Sequence, residues 1–277
     1  MKISVIIPTY NRAHLIERAV NSVLNQTQPP AELIVVDDHS RDNSLQVLEK
    51  YAESIHILRN DENRGVSYSR NQGLHAASGE WIAFLDSDDA WDSRKLEKQV
   101  QFHQEHLHLK ISQCDEIWIR KGVRVNPMIK HAKKGGWIFE ACLPLCIVSP
   151  SAVIIHRSLF NELGVFDESL PACEDYDLWL RIAQKYEIGL LDEQLVTRYG
   201  GHEDQLSQKY WGMDRFRIQA MEKHVDANMQ PKHKKALLEQ LVFKCRVVLN
   251  GAEKRNNLDV AEAYSEKLKI FKNLLVK

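Results

Sequence analysis

Residues 80–91 read Glu80-Trp81-Ile82-Ala83-Phe84-Leu85-Asp86-Ser87-Asp88-Asp89-Ala90-Trp91. Residues 81–85 have the length and bulk of a strand buried on both faces, and they run straight into three carboxylates within four positions. Negative charge gathered at a strand end is costly without a nearby cation, and a divalent metal is the natural candidate. Asp86 and Asp88 stand two apart, so an extended backbone turns both to one side. A solvated turn accounts for the same acids, with Asp89 or Asp92 capping a helix ahead of Leu96.

The preceding residues supply the context. An apolar, β-branched run over 3–7 reads as a strand stopped by Pro8, and helical spacing follows over 14–25 through Leu15, Ala19, Val23 and Leu24. A second buried strand over 32–36 ends in Asp37-Asp38; a helix over 44–52, a strand over 55–58 and a helix over 67–77, closed by Gly79, come next. This alternation predicts an α/β fold, a parallel sheet with helices on both faces. Ligands of such sheets bind outside the carboxyl ends of the strands. Thr9-Tyr10-Asn11, Asp37-Asp38 and the acids from Asp86 to Asp89 are therefore expected on one edge.

The order loosens after about residue 110, as strand and helix signals cease to alternate. A strand or hairpin over 116–125 with Gly122 at its turn, a basic loop over 130–136, a strand over 151–156 and an amphipathic helix over 177–186 are expected. From Met213 onward the pattern is helical. Leu237, Leu241, Cys245 and Val248 mark one helix ending near Gly251, and Leu258, Ala261, Leu268, Phe271 and Leu275 mark another. The pair reads as a helical hairpin packed on the sheet or on a partner.

Composition narrows the function. The 277 residues are 44% hydrophobic and 27% charged, with 37 basic against 38 acidic side chains, so no global charge draws nucleic acid. From Lys223 onward, however, 12 basic residues face 6 acidic ones. The five cysteines are odd in number and lack zinc-finger spacing, which suits free thiols in a reducing compartment. No export signal is expected ahead of Pro8, and no apolar run approaches the roughly 20 residues that span a bilayer.

In order along the chain stand Val5-Ile6-Ile7-Pro8-Thr9-Tyr10-Asn11-Arg12, Val35-Val36-Asp37-Asp38-His39-Ser40, Asn63-Arg64-Gly65, Ser69-Arg70-Asn71, Gly79-Glu80, Asp86-Ser87-Asp88-Asp89 and Cys173-Glu174-Asp175. In this ensemble the chain resembles the inverting glycosyltransferases of family 2, which have the GT-A fold, a mixed but mostly parallel sheet flanked by helices. The resemblance is strong over residues 1–110, good over 148–207 and weak elsewhere. It implies a GT-A catalytic domain over 1–210, with a nucleotide-binding half (1–110) and an acceptor half (111–210), and a C-terminal helical extension over 211–277.

Site residues follow from the same resemblance. Asp38 matches the carboxylate that accepts a hydrogen bond from the pyrimidine ring, and Pro8, Thr9, Tyr10 and Asn11 match the wall of that pocket. Asn63 and Arg70 match positions lining the nucleotide site. Asp86 and Ser87 lie against the sugar nucleotide, Asp86 reaching the ribose or the metal's water shell. Asp88 matches the carboxylate that holds Mn²⁺ or Mg²⁺, and His202, in Gly200-Gly201-His202-Glu203-Asp204-Gln205, resembles a late histidine that completes the metal or diphosphate site. Asp175 matches the general base and Glu174 its companion. Plainer readings stay open: Pro8 as a strand stop, Asp38 as a turn residue, Arg70 as an ion-pair partner, and one helix-opening acid favoured by the dipole alone.

The activity implied is transfer of a hexosyl or N-acetylhexosaminyl group from a UDP-sugar to a glycan or lipid-linked acceptor in cell-surface polysaccharide synthesis. The location implied is cytoplasmic, with the basic C-terminal helices available for peripheral contact with the inner face of the membrane or for a homodimer. In the segment 110–150, Trp118, Trp137 and Lys133-Lys134 are candidates to stack on a sugar or meet a phosphate. Two alternatives share the fold: a catalytically silent nucleotide binder and a retaining transferase. A sugar-nucleotide pyrophosphorylase would need a glycine-rich loop after the first strand, and residues 8–12 hold no glycine.

Overall fold

The computed structural model describes residues 1–126, 128–201 and 210–276. Its first strand, β1 (Ile3–Thr9), lies parallel between β2 (Glu32–Asp37) and β4 (Trp81–Phe84), and β3 (His56–Arg59) extends the sheet beyond β2. Alternate residues of β1 feed two cores. Ile3, Val5 and Ile7 meet α1 (Ile16–Leu24) on one side, while Ile6 joins Phe84 and Leu74 on the other. That two-sided burial is why the strand reads as a continuous apolar run rather than an alternating one. Helix α1 buries Ile16, Ala19, Val20 and Val23, an i, i+3, i+4, i+7 stripe.

Pro8 does not stop β1. The strand continues to Thr9, pairing with β2 alone, because β4 leaves the ladder after Ile6 and no donor is needed from Pro8 on that side. Helix α3 (Val66–Ala76) lies close over β1 at Gly73, where a Cβ would come within 2.4 Å of Ile6. This approach sets the depth at which Arg70, one turn earlier, enters the molecule.

Beyond β4 the sheet becomes mixed. Its order is β3-β2-β1-β4, then β8 (Val153–His156), β6 (Ile111–Arg120), β9 (Gly189–Gly200) and β5 (Ala90–Trp91), with β7 (Val123–Val125) paired to β6. Strand β8 runs antiparallel to β4, and β6 antiparallel to β8. Strand β7 makes the expected hairpin with β6 across Gly122. Strand β9 was not foreseen; it pairs parallel with β6 and antiparallel with the two-residue β5. Through β5 the residues just after the acidic stretch join the far edge of the sheet.

Helix α7 (Glu174–Ala183) starts three residues earlier than the apolar spacing predicts, at the acid pair itself. Helices α8 (Asp214–Glu222), α9 (Pro231–Glu253) and α10 (Leu258–Val276) share one core with α7 and α5 (Phe139–Cys142), through Phe216, Met221, Leu237, Leu241, Cys245 and Phe271. The C-terminal hairpin thus packs on the chain itself. Among the described residues no helix is long and apolar enough to cross a membrane.

Candidate active site

The loops after β1 and β2 are laced together. Asn11, at φ +51°, donates its N–H to Ser40 Oγ at 2.9 Å and accepts the Arg41 N–H at 2.8 Å. Asp38 sits 3% exposed at the centre. Its Oδ1 accepts from Asn60 Nδ2 at 2.7 Å and the Arg64 N–H at 3.0 Å, and its Oδ2 accepts the Gly65 N–H at 2.7 Å. Asn63 is exposed and donates to the Asp38 carbonyl at 3.3 Å. The carboxylate therefore folds the loop before α3 over the strand edge, and Gly65, at φ +89°, supplies the turn. Oδ2 keeps acceptor capacity for one further donor. Pro8 and Thr9 are buried, Tyr10 projects outward, and Thr9 Oγ1 is buried with no partner among the described residues.

At the end of β4 the acids divide into distinct environments. Asp89 is buried in the protein, accepting Ser151 Oγ at 2.7 Å and the Tyr199 N–H at 3.2 Å. Asp92 instead meets the start of α4 (Lys95–Glu105), accepting the Arg94 N–H at 2.9 Å. Ser87 is buried, while Asp86 and Asp88 are half-buried. The Asp88 carbonyl accepts from Arg18, but its carboxylate takes no hydrogen bond from another described residue. Burial and the neighbouring Asp86 push the Asp88 pKa up, against Arg12 and Arg198.

Arg70 ties this edge to the head of α7. One terminal nitrogen, Nη2, donates to Asp86 Oδ1 at 2.7 Å; the other, Nη1, donates to Glu174 Oε1 at 2.6 Å. Its side chain is 4% exposed and its Nε has no partner among the described residues. Burial opposes its charge, yet Asp86, Glu174 and Asp175 hold it protonated beyond the usual guanidinium range. Arg70 is thus turned to carboxylates, the plainer of the two readings of this residue. Glu174, 4% exposed, is pushed up to about 7 by burial and by Asp175, with Arg70 pulling the other way.

Asp175 is half-buried and less encumbered. Its Oδ1 accepts the Tyr176 N–H at 2.7 Å, and Cys146 Sγ lies 3.5 Å from Oδ2. Cys173, just before the pair, adopts φ +64°, a left-handed conformation that costs of order 1 kcal/mol for a non-glycine residue. Asn71 braces the approach to α7, exchanging hydrogen bonds with Phe166 and reaching Glu168 at 2.8 Å. His202 lies outside the described residues.

Several contributors escaped the sequence reading. Asn60 and Ser151 are single polar residues whose importance shows only through their partners. Glu116, buried on β6, accepts Lys133 Nζ at 3.1 Å and Trp118 Nε1 at 3.1 Å, with Arg198 at 3.8 Å. Those cations and Ser149 hold it down to about 2 despite its burial. Trp118 and Lys133 thus belong to one network, whereas Trp137 is 61% exposed.

A family model described as "Glycosyl transferase family 2" matches residues 4–164. The chain belongs to that family. It is a glycosyltransferase, and its α/β architecture is the GT-A fold. The matched segment holds the edge built by β1, β2 and β4 but ends before Glu174. Among named relatives of this family 2 chain, the putative teichuronic acid biosynthesis glycosyltransferase TuaG of Bacillus subtilis is 46% identical over 212 residues, 76% of this chain and 82% of that protein. An Escherichia coli protein named UDP-Glc:alpha-D-GlcNAc-diphosphoundecaprenol beta-1,3-glucosyltransferase WfgD is 34% identical over 191 residues, 69% and 73% of the two chains.

Two solved structures share the fold. S. aureus TarS 1–349 in complex with UDP-GlcNAc superposes with a TM-score of 0.72 at 23% identity, covering 97% of this chain and 92% of its own. The mannosyltransferase PcManGT from Pyrobaculum calidifontis, in complex with GDP-Man and Mn²⁺, gives 0.64 at 18% identity over 99% and 83%.

Proposed function

We propose that this chain is a metal-dependent, inverting transferase that moves a sugar from a UDP-sugar to a hydroxyl of a glycan or lipid-linked acceptor during cell-surface polysaccharide assembly. The observation that carries the reading is the Arg70 bridge. It brings the carboxylates at the end of β4 and the acids heading α7 within reach of one guanidinium, so donor and acceptor chemistry can meet in one cleft. UDP and a lipid-linked acceptor are favoured by the names of the E. coli relative and the S. aureus structure. We take residues 1–210 as the catalytic unit, divided near 110, and 211–277 as its extension.

Asp175 serves as general base. Of the two acids it is the one left available: Glu174 is buried against Arg70, whereas Asp175 is half-exposed and lightly hydrogen-bonded. It accepts the proton of the acceptor hydroxyl as that oxygen attacks the anomeric carbon from the side opposite the diphosphate, and configuration inverts in one displacement. Glu174 and Arg70 hold the head of α7 against the strand edge. On the donor side the open lone pair of Asp38 Oδ2 accepts from the base, Tyr10 flanks it with Pro8, Thr9 and Asn11 behind, and Asn63 closes the rim.

The residues at β4 fit a hard divalent cation. Among the described residues the Asp88 carboxylate takes no hydrogen bond from another residue, and burial beside Asp86 raises its pKa against Arg12 and Arg198. Mn²⁺ and Mg²⁺ keep waters and share substrate phosphates, so one or two carboxylates suffice to seat such an ion. Asp88 would hold such an ion, with Asp86 and His202 as further candidates, and the chemistry it would supply is neutralisation of charge on the departing diphosphate.

The test is a thermal-shift screen of UDP-, GDP- and dTDP-sugars with Mn²⁺, followed by transfer and determination of the product's anomeric configuration. Retained configuration would overturn inversion, and nucleotide binding without turnover would leave only the silent binder. We place the enzyme at the inner face of the membrane, touching it with the outer side of α9, where Phe243 and Val247 are exposed beside Lys235 and Arg246. Failure to float with anionic vesicles at physiological salt removes that contact, and a sedimenting dimer would give the same face to a second copy.

A further inference from the structure

Between the end of β4 and the head of α7 lies a surface that the transfer chemistry leaves unused. On β6, Glu116, Trp118 and Arg120 stand two apart and share a face, and parallel pairing sets Arg198 of β9 beside Trp118. Glu116 is the buried anchor, engaging Lys133, Arg198 and the Trp118 indole N–H. Trp118 is thereby fixed with its ring half-exposed, 5.3 Å from the His131 ring and 5.6 and 5.5 Å from the guanidinium groups of Arg120 and Arg198.

The charge here is out of balance. Arg120 of β6, Arg198 of β9 and His131 of the turn at 129–131 surround the Trp118 ring, and burial with Lys130, Arg120, Arg198 and Arg217 pushes His131 down from its ordinary pKa. Glu116 offsets Lys133 and Arg198, and Asp214 offsets Arg217 at 2.8 Å. Arg120 and Lys130 are exposed and have no carboxylate partner among the described residues. On one side Arg198 reaches Asp89 at 3.9 Å; on the other Lys133 donates to Ser149 at 3.0 Å, three residues after Cys146, whose thiol meets Asp175.

We propose that this face is an acceptor subsite that binds a diphosphate, with Trp118 stacking on the sugar the diphosphate carries. It rests on the reading of the chain as a transferase acting on a lipid-linked acceptor. Glu116, Asp89 and Asp214 engage Lys133, Arg198 and Arg217, which leaves Arg120 and Lys130 for a diphosphate, whose charge is spread over several non-bridging oxygens. A sugar face on the indole keeps its ring beside these cations, with a hydroxyl directed to Asp175.

The test is calorimetric titration of the full chain, saturated with UDP and with Mn²⁺ in excess over all diphosphate, using farnesyl diphosphate as probe and octyl glucoside as its neutral counterpart. Wild type is expected to bind farnesyl diphosphate with an affinity that falls as salt is raised. Arg120→Ala/Lys130→Ala, both changes on exposed side chains, should weaken it at least tenfold at an unchanged melting temperature, and Trp118→Leu should weaken binding of a sugar-bearing diphosphate further than of the farnesyl probe. No binding by wild type, equal binding by the double variant, or equally tight octyl glucoside overturns the proposal. The same protein titrated with UDP alone tests the underlying reading separately: no UDP binding breaks that reading, whatever the farnesyl probe does.

Discussion

Two carboxylates, Asp38 and Glu174, are buried to nearly the same degree, yet the molecule satisfies them by opposite means. Asp38 is met by backbone N–H groups of Arg64 and Gly65 and by Asn60, all within 27 positions. Glu174 is met by one charged side chain, Arg70, 104 positions away. Neutral donors from a local loop stabilise a carboxylate without burying another charge. An ion pair desolvates both partners and depends on tertiary packing to align them. The Asp38 loop is therefore fixed by turn chemistry, and the head of α7 by the closure of the whole fold.

The sharpest way to break this comparison is at the acid beside Glu174. Asp175→Asn should lower the turnover of transfer by about a thousandfold or more, within the range for loss of a general base, and leave UDP affinity intact. Near-normal turnover in a transfer assay would remove Asp175 from its role. Next in size is the ion pair itself. Arg70→Ala leaves Asp86 and Glu174 uncompensated and should cost about 3–5 kcal/mol in urea denaturation. Adding Glu174→Gln should recover part of that loss; if it recovers none, the cost is packing against Phe166 rather than charge.

Asp38→Ala removes a hub with no buried countercharge, so a smaller loss of about 2 kcal/mol is expected, together with weaker nucleotide binding. A loss matching that of Arg70→Ala would erase the distinction between the two sides. The mildest effect lies in pH. Glu174 titrates near 7 in the fold against an ordinary 4.5. Because the folded value is raised, its contribution to stability is complete below about 4.5 and disappears as pH rises through 7. Melting temperature should decline over that window, and Glu174→Gln should flatten the decline by an amount worth roughly 1 kcal/mol or more. An unchanged slope would mean that Arg70 holds the acid ionised throughout.

The same contrast explains what could be read from the residues. Strands β1, β2 and β4 were legible because burial on both faces demands unbroken apolar runs, and the polar groups closing each run had to share an edge. Pro8 misled, since its missing N–H matters only where a neighbour needs it and β4 has already left the ladder there. Strand β9 went unseen because its burial is uneven along its length, with Leu195 and Val196 buried but Asp192 exposed. Its partner β6 is separated from it by about eighty positions, as Arg120 against Gly200 shows.

By itself, the sequence determined the strands that bring polar groups to one edge and singled out candidates for the chemistry: the acids closing β4, the acid pair opening α7, and the turn residues around Asp38. Each is announced by its immediate neighbours. Only the tertiary structure decided how those acids are shared out, Asp89 to Ser151, Asp86 and Glu174 to Arg70, with Asp88 and Asp175 the more lightly hydrogen-bonded among the described residues. The reason is physical. A carboxylate's charge and availability depend on which donors reach it, and across a closed sheet the nearest donors come from segments that are remote in the chain.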